Sequence, residues 1–187
     1  MNKKLILASQ SPRRRELISI LGLPFAVVGP KCEEVMDTTL PINEQIEKLA
    51  YDKAMSVLDE NMDNIVIGSD TVVVCDGVVL GKPKDEEDAK DMLRMLSGNT
   101  HAVITGVAIL SDSHQEIFSV ATLVTFNEMT EEEIQSYVAT KEPMDKAGAY
   151  GIQGKGALYI RNIEGDYYSV MGLPVSSIYD ALKNKTW

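Results

Sequence analysis

Three consecutive arginines, Arg13, Arg14 and Arg15, follow Ser11-Pro12 at the start of a helical pattern. Ser11 stands where an N-cap belongs, and Pro12 suits the first helical position, where its missing N–H costs nothing. Free N–H groups and the positive dipole end already favour an anion at such a place. Arginine adds planar, permanently charged forks that grip phosphate oxygens in pairs. The competing interpretation is an ordinary capped helix with solvated arginines. The charge placement weighs against it, because each cation in a first turn opposes the dipole by roughly 0.3–1 kcal/mol. Three in a row call for an anionic partner.

Asp70 is a second candidate. It interrupts Ile65–Cys75, IVIGSDTVVVC, a run otherwise apolar enough for a buried strand. A carboxylate there is costly unless it is paired, metal-bound or at a strand break, and Gly68-Ser69 offers such a break. That makes Asp70 a functional candidate. Lys53 lies on the apolar face of a helical pattern, four residues after Leu49. Either its stem snorkels the amine outward or the amine is aimed into a cleft to meet an anion. Lys82 sits at the end of a hairpin, in Gly81-Lys82-Pro83. Glu33, Glu34 and Asp37, taken alone, read as solvated loop charge.

The elements that must position these residues follow from periodicity and punctuation. Leu5–Ala8 reads as a buried strand leading into the arginine helix, whose Leu17, Ile18 and Leu21 share a face and which Gly22 can close. Phe25–Val28 is a second short strand. Asn43–Asp59 is a helix with Ile46, Leu49, Ala50, Ala54, Val57 and Leu58 on its apolar face. Asp76-Gly77 turns the long strand back through Val78–Leu80. Asp85–Leu96 is helical, and its methionines are core filler. Thr100–Leu110 and Glu116–Phe126 form an antiparallel hairpin. Thr130 with Glu133 is a capping-box signature for a helix reaching about Ala139. Asp145–Gly156, DKAGAYGIQGKG, is a glycine-dense loop that fits neither a phosphate-binding P-loop nor a dinucleotide turn. Its Gln153 offers the donor and acceptor needed to read a base edge. Ala157–Ile163 is predicted as a strand, Tyr167–Met171 as a short extended piece, and Val175–Lys183 as a final helix opened by Pro174.

Composition narrows the partners. The 187 residues carry 18 Lys and Arg against 28 Asp and Glu, a formal charge of -10. Such a chain is a poor general binder of nucleic acid or of an anionic membrane, since non-specific affinity comes largely from phosphate neutralisation. A local arginine cluster suits a small anion instead. No apolar run approaches the about 20 residues of a membrane span, and Leu5–Ala8 is too short for a signal-peptide core of roughly 7–15. Cys32 and Cys75 have neither disulfide nor metal spacing, so a reduced, cytoplasmic setting is expected. Cys75 reads as core. Glu33 and Glu34 disfavour a thiolate at Cys32. His101 and His114 stand apart from each other and from any cysteine, which argues against zinc.

Several segments together resemble the Maf (septum formation inhibitor) family of nucleoside triphosphate pyrophosphatases. They are ASQSPRRREL, IGSDTVV, GKP, LSGNTHAVITG, EPMDKAGAYGIQGKGA and GDYYSVMGLP, in family order from about Leu5 to Leu182. The set is specific where no single motif would be. Arg13, Thr71 and Gln153 match the subgroup acting on dTTP and UTP; a sister subgroup acting on 7-methyl-GTP carries tryptophan in place of Arg13. The resemblance implies an inosine-triphosphatase-like α/β fold over residues 1–187. That fold is an elongated mixed sheet flanked by helices, in two lobes with a central cleft. It also implies a family-level homodimer.

It further implies a reaction: hydrolysis of dTTP and UTP, with modified pyrimidine nucleotides as related targets, to monophosphate and pyrophosphate, as nucleotide-pool housecleaning. Asp70 matches the catalytic aspartate, as general base or as ligand of a divalent Mg²⁺ or Mn²⁺. Glu33, ahead of Glu34, would complete the metal site. Ser9, Ser11, Arg13, Arg14, Lys53 and Lys82 would bind the triphosphate. Arg13, Thr71 and Gln153 would select the base. The alternative is a nucleotide-binding regulator of cell division with little hydrolysis, as the family's older name suggests; the intact Asp70 argues against it.

Overall fold

The fold was obtained as a computed structural model, which describes residues 3–58, 60, 63–184 and 187. It is a mixed α/β arrangement built on a seven-stranded sheet. The strands are β1 (Leu5–Ala8), β2 (Phe25–Val28), β3 (Ile65–Cys75), β4 (Val78–Leu80), β5 (Thr100–Leu110), β6 (Gln115–Phe126) and β7 (Ile160–Glu164). The order is β2-β1-β3-β5-β6-β7, with β4 paired to β3. Among the described residues six α-helices accompany them: α1 (Pro12–Ser19), α2 (Ile42–Leu58), α3 (Glu86–Leu96), α4 (Glu131–Ala139), α5 (Tyr167–Val170) and α6 (Val175–Lys183). The expected mixed sheet flanked by helices is therefore present. Among the described residues no helix is long and apolar enough to cross a membrane.

The chain divides into two compact units. The first comprises Met1–Asp70, Thr105–Val120 and Gly172–Trp187; the second comprises Thr71–Ile104 and Ala121–Met171.

In the first unit β1 pairs in parallel with both β2 and β3, and all four of its residues are buried. Parallel neighbours need crossover connections, which α1 and α2 supply. That explains why β1 reads as an unbroken apolar run and not as an alternating one. Helix α2 lays Ala50, Ala54, Val57 and Leu58 against Ile6, Ala8, Val66, Ala108 and Leu110. The approach is close. A Cβ on Gly68 of β3 would stand 2.2 Å from the Ala50 carbonyl oxygen, and one on Gly106 of β5 would stand 2.6 Å from that of Ile46. The two carbonyls are one helical turn apart, so two glycines on separate strands receive successive turns of the same helix.

This revises one expectation. Gly68-Ser69 does not break β3, which runs without interruption from Ile65 to Cys75. Gly68 is there because the α2 backbone leaves no room for a side chain.

The second unit has its own core, including Val73, Leu80, Leu93, Leu96, Phe126, Tyr137 and Tyr150. Asp76 and Gly77 both take positive φ, 49° and 78°, as a two-residue hairpin requires. The Thr130–Glu133 capping box forms as its signature predicts. Two local expectations fail. Residues predicted to open a strand at Ala157 form a 3₁₀ turn, Lys155–Tyr159, and β7 begins only at Ile160. Tyr167–Val170 is one helical turn and not extended, because the Asp166 side chain caps it by accepting the Tyr168 N–H at 2.8 Å. The predicted end of α2 at Asp59 lies outside the described residues.

His101, only 2% exposed, packs edge-on to Phe126 and Tyr150 and shares a 2.8 Å hydrogen bond between Nε2 and the Tyr150 hydroxyl. Its Nδ1 has no hydrogen-bond partner among the described residues. Burial pushes its pKa down to about 4.

Two stability measurements test these points. Gly68→Ala should cost at least about 2 kcal/mol in urea unfolding, because the atom it meets is helix backbone and cannot rotate away. For His101 the folded pKa lies below the unfolded one. The unfolded chain therefore takes up a proton first, and stability is lost as pH falls from about 6.5 toward 4. The loss should be on the order of 3 kcal/mol. His101→Gln should remove that part of the acid slope, leaving the part due to carboxylates.

Candidate active site

The first unit gathers Arg14, Lys53, Asp70 and Glu34 around one point. Asp70 lies two residues after Gly68 on β3, hence on the same face, which is the face α2 covers. Lys53 lies three residues after Ala50 on α2, hence one turn further along. The close approach at Gly68 thus delivers the lysine to the carboxylate. Lys53 Nζ donates to Asp70 Oδ1 at 3.0 Å and lies 2.9 Å from Glu34 Oε1. The side chain of Lys53 is 6% exposed, that of Asp70 15% and that of Glu34 54%. The stem of Lys53 therefore does not snorkel, and its amine is aimed at anions.

Arg14 approaches from α1. Its Nε donates to the Gly172 carbonyl at 2.7 Å, and its Nη2 lies 4.0 Å from the same Asp70 Oδ1. The buried Ser69 hydroxyl donates to that carbonyl as well, at 3.0 Å. One backbone oxygen thus fixes the edge of the guanidinium and the strand residue next to Asp70. Burial pushes Arg14 below its ordinary value, while the Asp70 and Glu34 carboxylates oppose the shift and Arg13 adds to it. Taking charges out of water is costly, and here mutual pairing offsets it.

The turn between β1 and α1 is built from serines. Ser9 is buried and its Oγ accepts the Ser11 N–H at 3.1 Å. Ser11 caps α1 by accepting the Arg14 N–H at 3.5 Å. Arg13 is half-buried, and Arg15 is exposed. Of the loop acids, both Glu33 and Glu34 are exposed, and Glu34 is the one that meets Lys53. Thr71, Lys82 and Gln153 belong to the second unit, where Thr71 is half-buried and the other two are exposed. Ser69 and Gly172 are additions that residue-type reasoning did not single out. The signal for Gly172 was its segment, GDYYSVMGLP, which carried the family resemblance without any assigned role.

The donor set constrains a metal. Among the described residues no group of three or more His, Cys, Asp or Glu is placed to hold one. The site instead offers two carboxylates, Asp70 and Glu34, each with an oxygen within 3.0 Å of the same ammonium. That set fits Mg²⁺ or Mn²⁺, which take one or two carboxylates and complete their shell with water and substrate phosphate.

The chain shares its fold with the Ham1 protein of Staphylococcus aureus, at a TM-score of 0.57 over 98% of this chain and 100% of that one, with 13% identity. At that identity the likeness is one of fold. The family follows from sequence. The model of the Maf-like proteins matches residues 4–185, and the chain belongs to that family. A Bacillus velezensis protein named dTTP/UTP pyrophosphatase is 54% identical over 183 residues, covering 98% of this chain and 97% of its own. A Bacillus cereus (strain G9842) protein of the same name is 50% identical over 181 residues, covering 97% and 95%.

Lys53→Met should reduce stability by about 2–4 kcal/mol in urea unfolding at pH 7, because it strands Asp70 beside β3 without its nearest cation. Asp70→Asn should cost less, since its amide oxygen still accepts from Lys53 and Glu34 still balances the charge. The reverse order would show that the ion pair does not hold α2 against β3.

Proposed function

We propose that this protein hydrolyses nucleoside triphosphates at the α-phosphorus, yielding monophosphate and pyrophosphate, with dTTP and UTP as substrates. One observation carries the reading: a single oxygen of a half-buried carboxylate, Asp70 Oδ1, is met by Lys53 and approached by Arg14 beside an N-capped arginine helix. Family membership and the names of the two relatives supply the reaction and the bases.

Phosphoryl transfer needs a neutralised triphosphate, a positioned water and a stabilised leaving group. Arg13 and Arg14 hold phosphate oxygens. Ser9 and Ser11 accept backbone N–H groups through their oxygens, so their hydroxyl hydrogens are there to give to phosphate. Lys53 and Lys82 add compact positive charge. Asp70 orients the attacking water and takes its proton as the oxygen bonds to the α-phosphorus. The bond from that phosphorus to the bridging oxygen breaks, and pyrophosphate leaves with that oxygen. Asp70 and Glu34, with Glu33 as the neighbouring carboxylate, would hold a divalent Mg²⁺ or Mn²⁺, which supplies further neutralisation of phosphate charge. Thr71, Arg13 and Gln153 set the preference for thymine and uracil. The free cysteines Cys32 and Cys75 support a cytoplasmic setting.

A pyrophosphate-release assay tests this with dTTP, UTP, CTP, GTP, ATP and 7-methyl-GTP, with Mg²⁺ and with chelator. Cleavage of dTTP and UTP to monophosphate is expected, lost with chelator and reduced at least about 100-fold in Asp70→Asn. Release of orthophosphate would move the attack away from the α-phosphorus. Silence from folded protein across the panel would overturn the reading.

A further inference from the structure

The glycine-dense loop of the second unit is folded around a carboxylate that the proposed reaction does not use. Glu142 is half-buried just after α4. Its Oε1 accepts the Tyr137 hydroxyl at 2.9 Å and the Gly156 N–H at 3.2 Å, and its Oε2 accepts the Lys155 N–H at 3.0 Å. Tyr137, 1% exposed, in turn accepts the Gly151 N–H at 3.1 Å through the same hydroxyl. Lys146 closes the far side, donating to the Glu142 backbone carbonyl at 2.6 Å.

The glycine spacing matches this centre. A Cβ on Gly154 would stand 2.4 Å from both oxygens of Glu142. One on Gly156 would stand 2.6 Å from the Tyr137 hydroxyl, and one on Gly151 would stand 2.7 Å from the Lys146 stem. Three of the loop's glycines are thus places where backbone closes on the Glu142, Tyr137 and Lys146 side chains. Burial alone would push the Glu142 carboxyl up, but the two loop amides and the tyrosine hydroxyl outweigh it and hold it below the ordinary range. It is ionised at neutral pH and accepts only, so Tyr137 must be the donor to it. Gln153 stands exposed between Gly151 and Gly154. On one side of it the Gly151 N–H is held by Tyr137, and on the other the Lys155 and Gly156 N–H groups are held by Glu142.

We propose that Glu142 is a positioning residue for Gln153, an internal anion that holds the loop in the one shape presenting the glutamine amide to the nucleobase. The inference rests on the reading of Gln153 as the residue that recognises the base. Glu142 itself touches loop backbone and the Tyr137 hydroxyl, so its loss reaches the base through Gln153. It should weaken recognition of the correct base more than it slows the chemical step.

The test is a cycle. kcat and KM for dTTP, UTP, CTP and GTP are measured for wild type, Glu142→Ala, Glu142→Gln, Gln153→Ala and the double variant Glu142→Ala with Gln153→Ala, alongside thermal unfolding. Glu142→Ala should raise KM for dTTP and UTP roughly tenfold and narrow the preference over CTP and GTP, while kcat changes less than about twofold. The double variant should be no worse than Gln153→Ala alone, because the two act as one unit. Glu142→Gln keeps the shape and one acceptor and should fall between; it carries the test if the alanine variant does not fold. Equal losses on all four nucleotides, or losses that add to those of Gln153→Ala, would make Glu142 merely structural and overturn the proposal. If Gln153→Ala leaves base preference unchanged, the reading of Gln153 fails and the proposal with it. If it shifts preference while the Glu142 variants do not, the proposal alone fails.

Discussion

The contact between the backbone of α2 and Gly68 of β3 is the constraint on which the site depends. A helix normally keeps its distance from a sheet because side chains stand between them. Here Gly68 and Gly106 remove those side chains from the strands, and Ala50 and Ala54 keep the facing helix surface small. The lysine one turn along the helix then reaches the carboxylate two residues along the strand. A wider separation would carry Lys53 away from Asp70, leaving Arg14, 4.0 Å from Oδ1, as the cation facing it. The ion pair is thus a consequence of packing, and the same packing fixes where it sits.

Charge in the site is arranged for a ligand with more negative charge than the protein supplies. Two carboxylates meet Lys53 and Arg14, and Arg13 stands beside them. The arginines oppose the dipole of α1, which their position at its first turn makes unfavourable. Part of the compensation is internal: Asp70 faces Arg14, and the Gly172 carbonyl fixes its Nε. A bound polyphosphate at the capped N-terminus would supply the rest, in the way helix N-termini hold anions generally. Serines at the turn contribute without adding charge.

Two carboxylates of this chain show how surroundings assign different roles to one chemical group. Asp70 faces side-chain cations, which leaves it able to engage water or a divalent ion brought in on phosphate. Glu142 faces backbone amides and a phenol, which fix a loop and leave it little capacity for anything else. The first arrangement suits chemistry and the second suits shape. Neither role can be read from the residue type.

Local elements were legible in the sequence because local interactions specify them. The boundaries of β3, the Thr130–Glu133 capping box, the Asp76-Gly77 turn and the Ser11-Pro12 start of α1 each follow from a few neighbouring residues. The oddity of Lys53 on an apolar face and of Asp70 in an apolar strand was also visible, since each carries a desolvation cost. What answered that cost was not visible, because the partners come from α2, α1, the loop at Glu34 and the carbonyl of Gly172, which lie far apart in the chain. The reading of Gly68 as a strand break failed for the same reason: a glycine needed for close helix approach looks locally like one needed for a bend. The 3₁₀ turn at Lys155–Tyr159 took the first three residues of the predicted Ala157–Ile163 strand because Glu142, thirteen residues before Lys155, captures its amide. The sequence alone determined which groups needed partners, through the cost of burying them. Only the tertiary structure decided which partners they met, because that choice depends on contacts between distant segments.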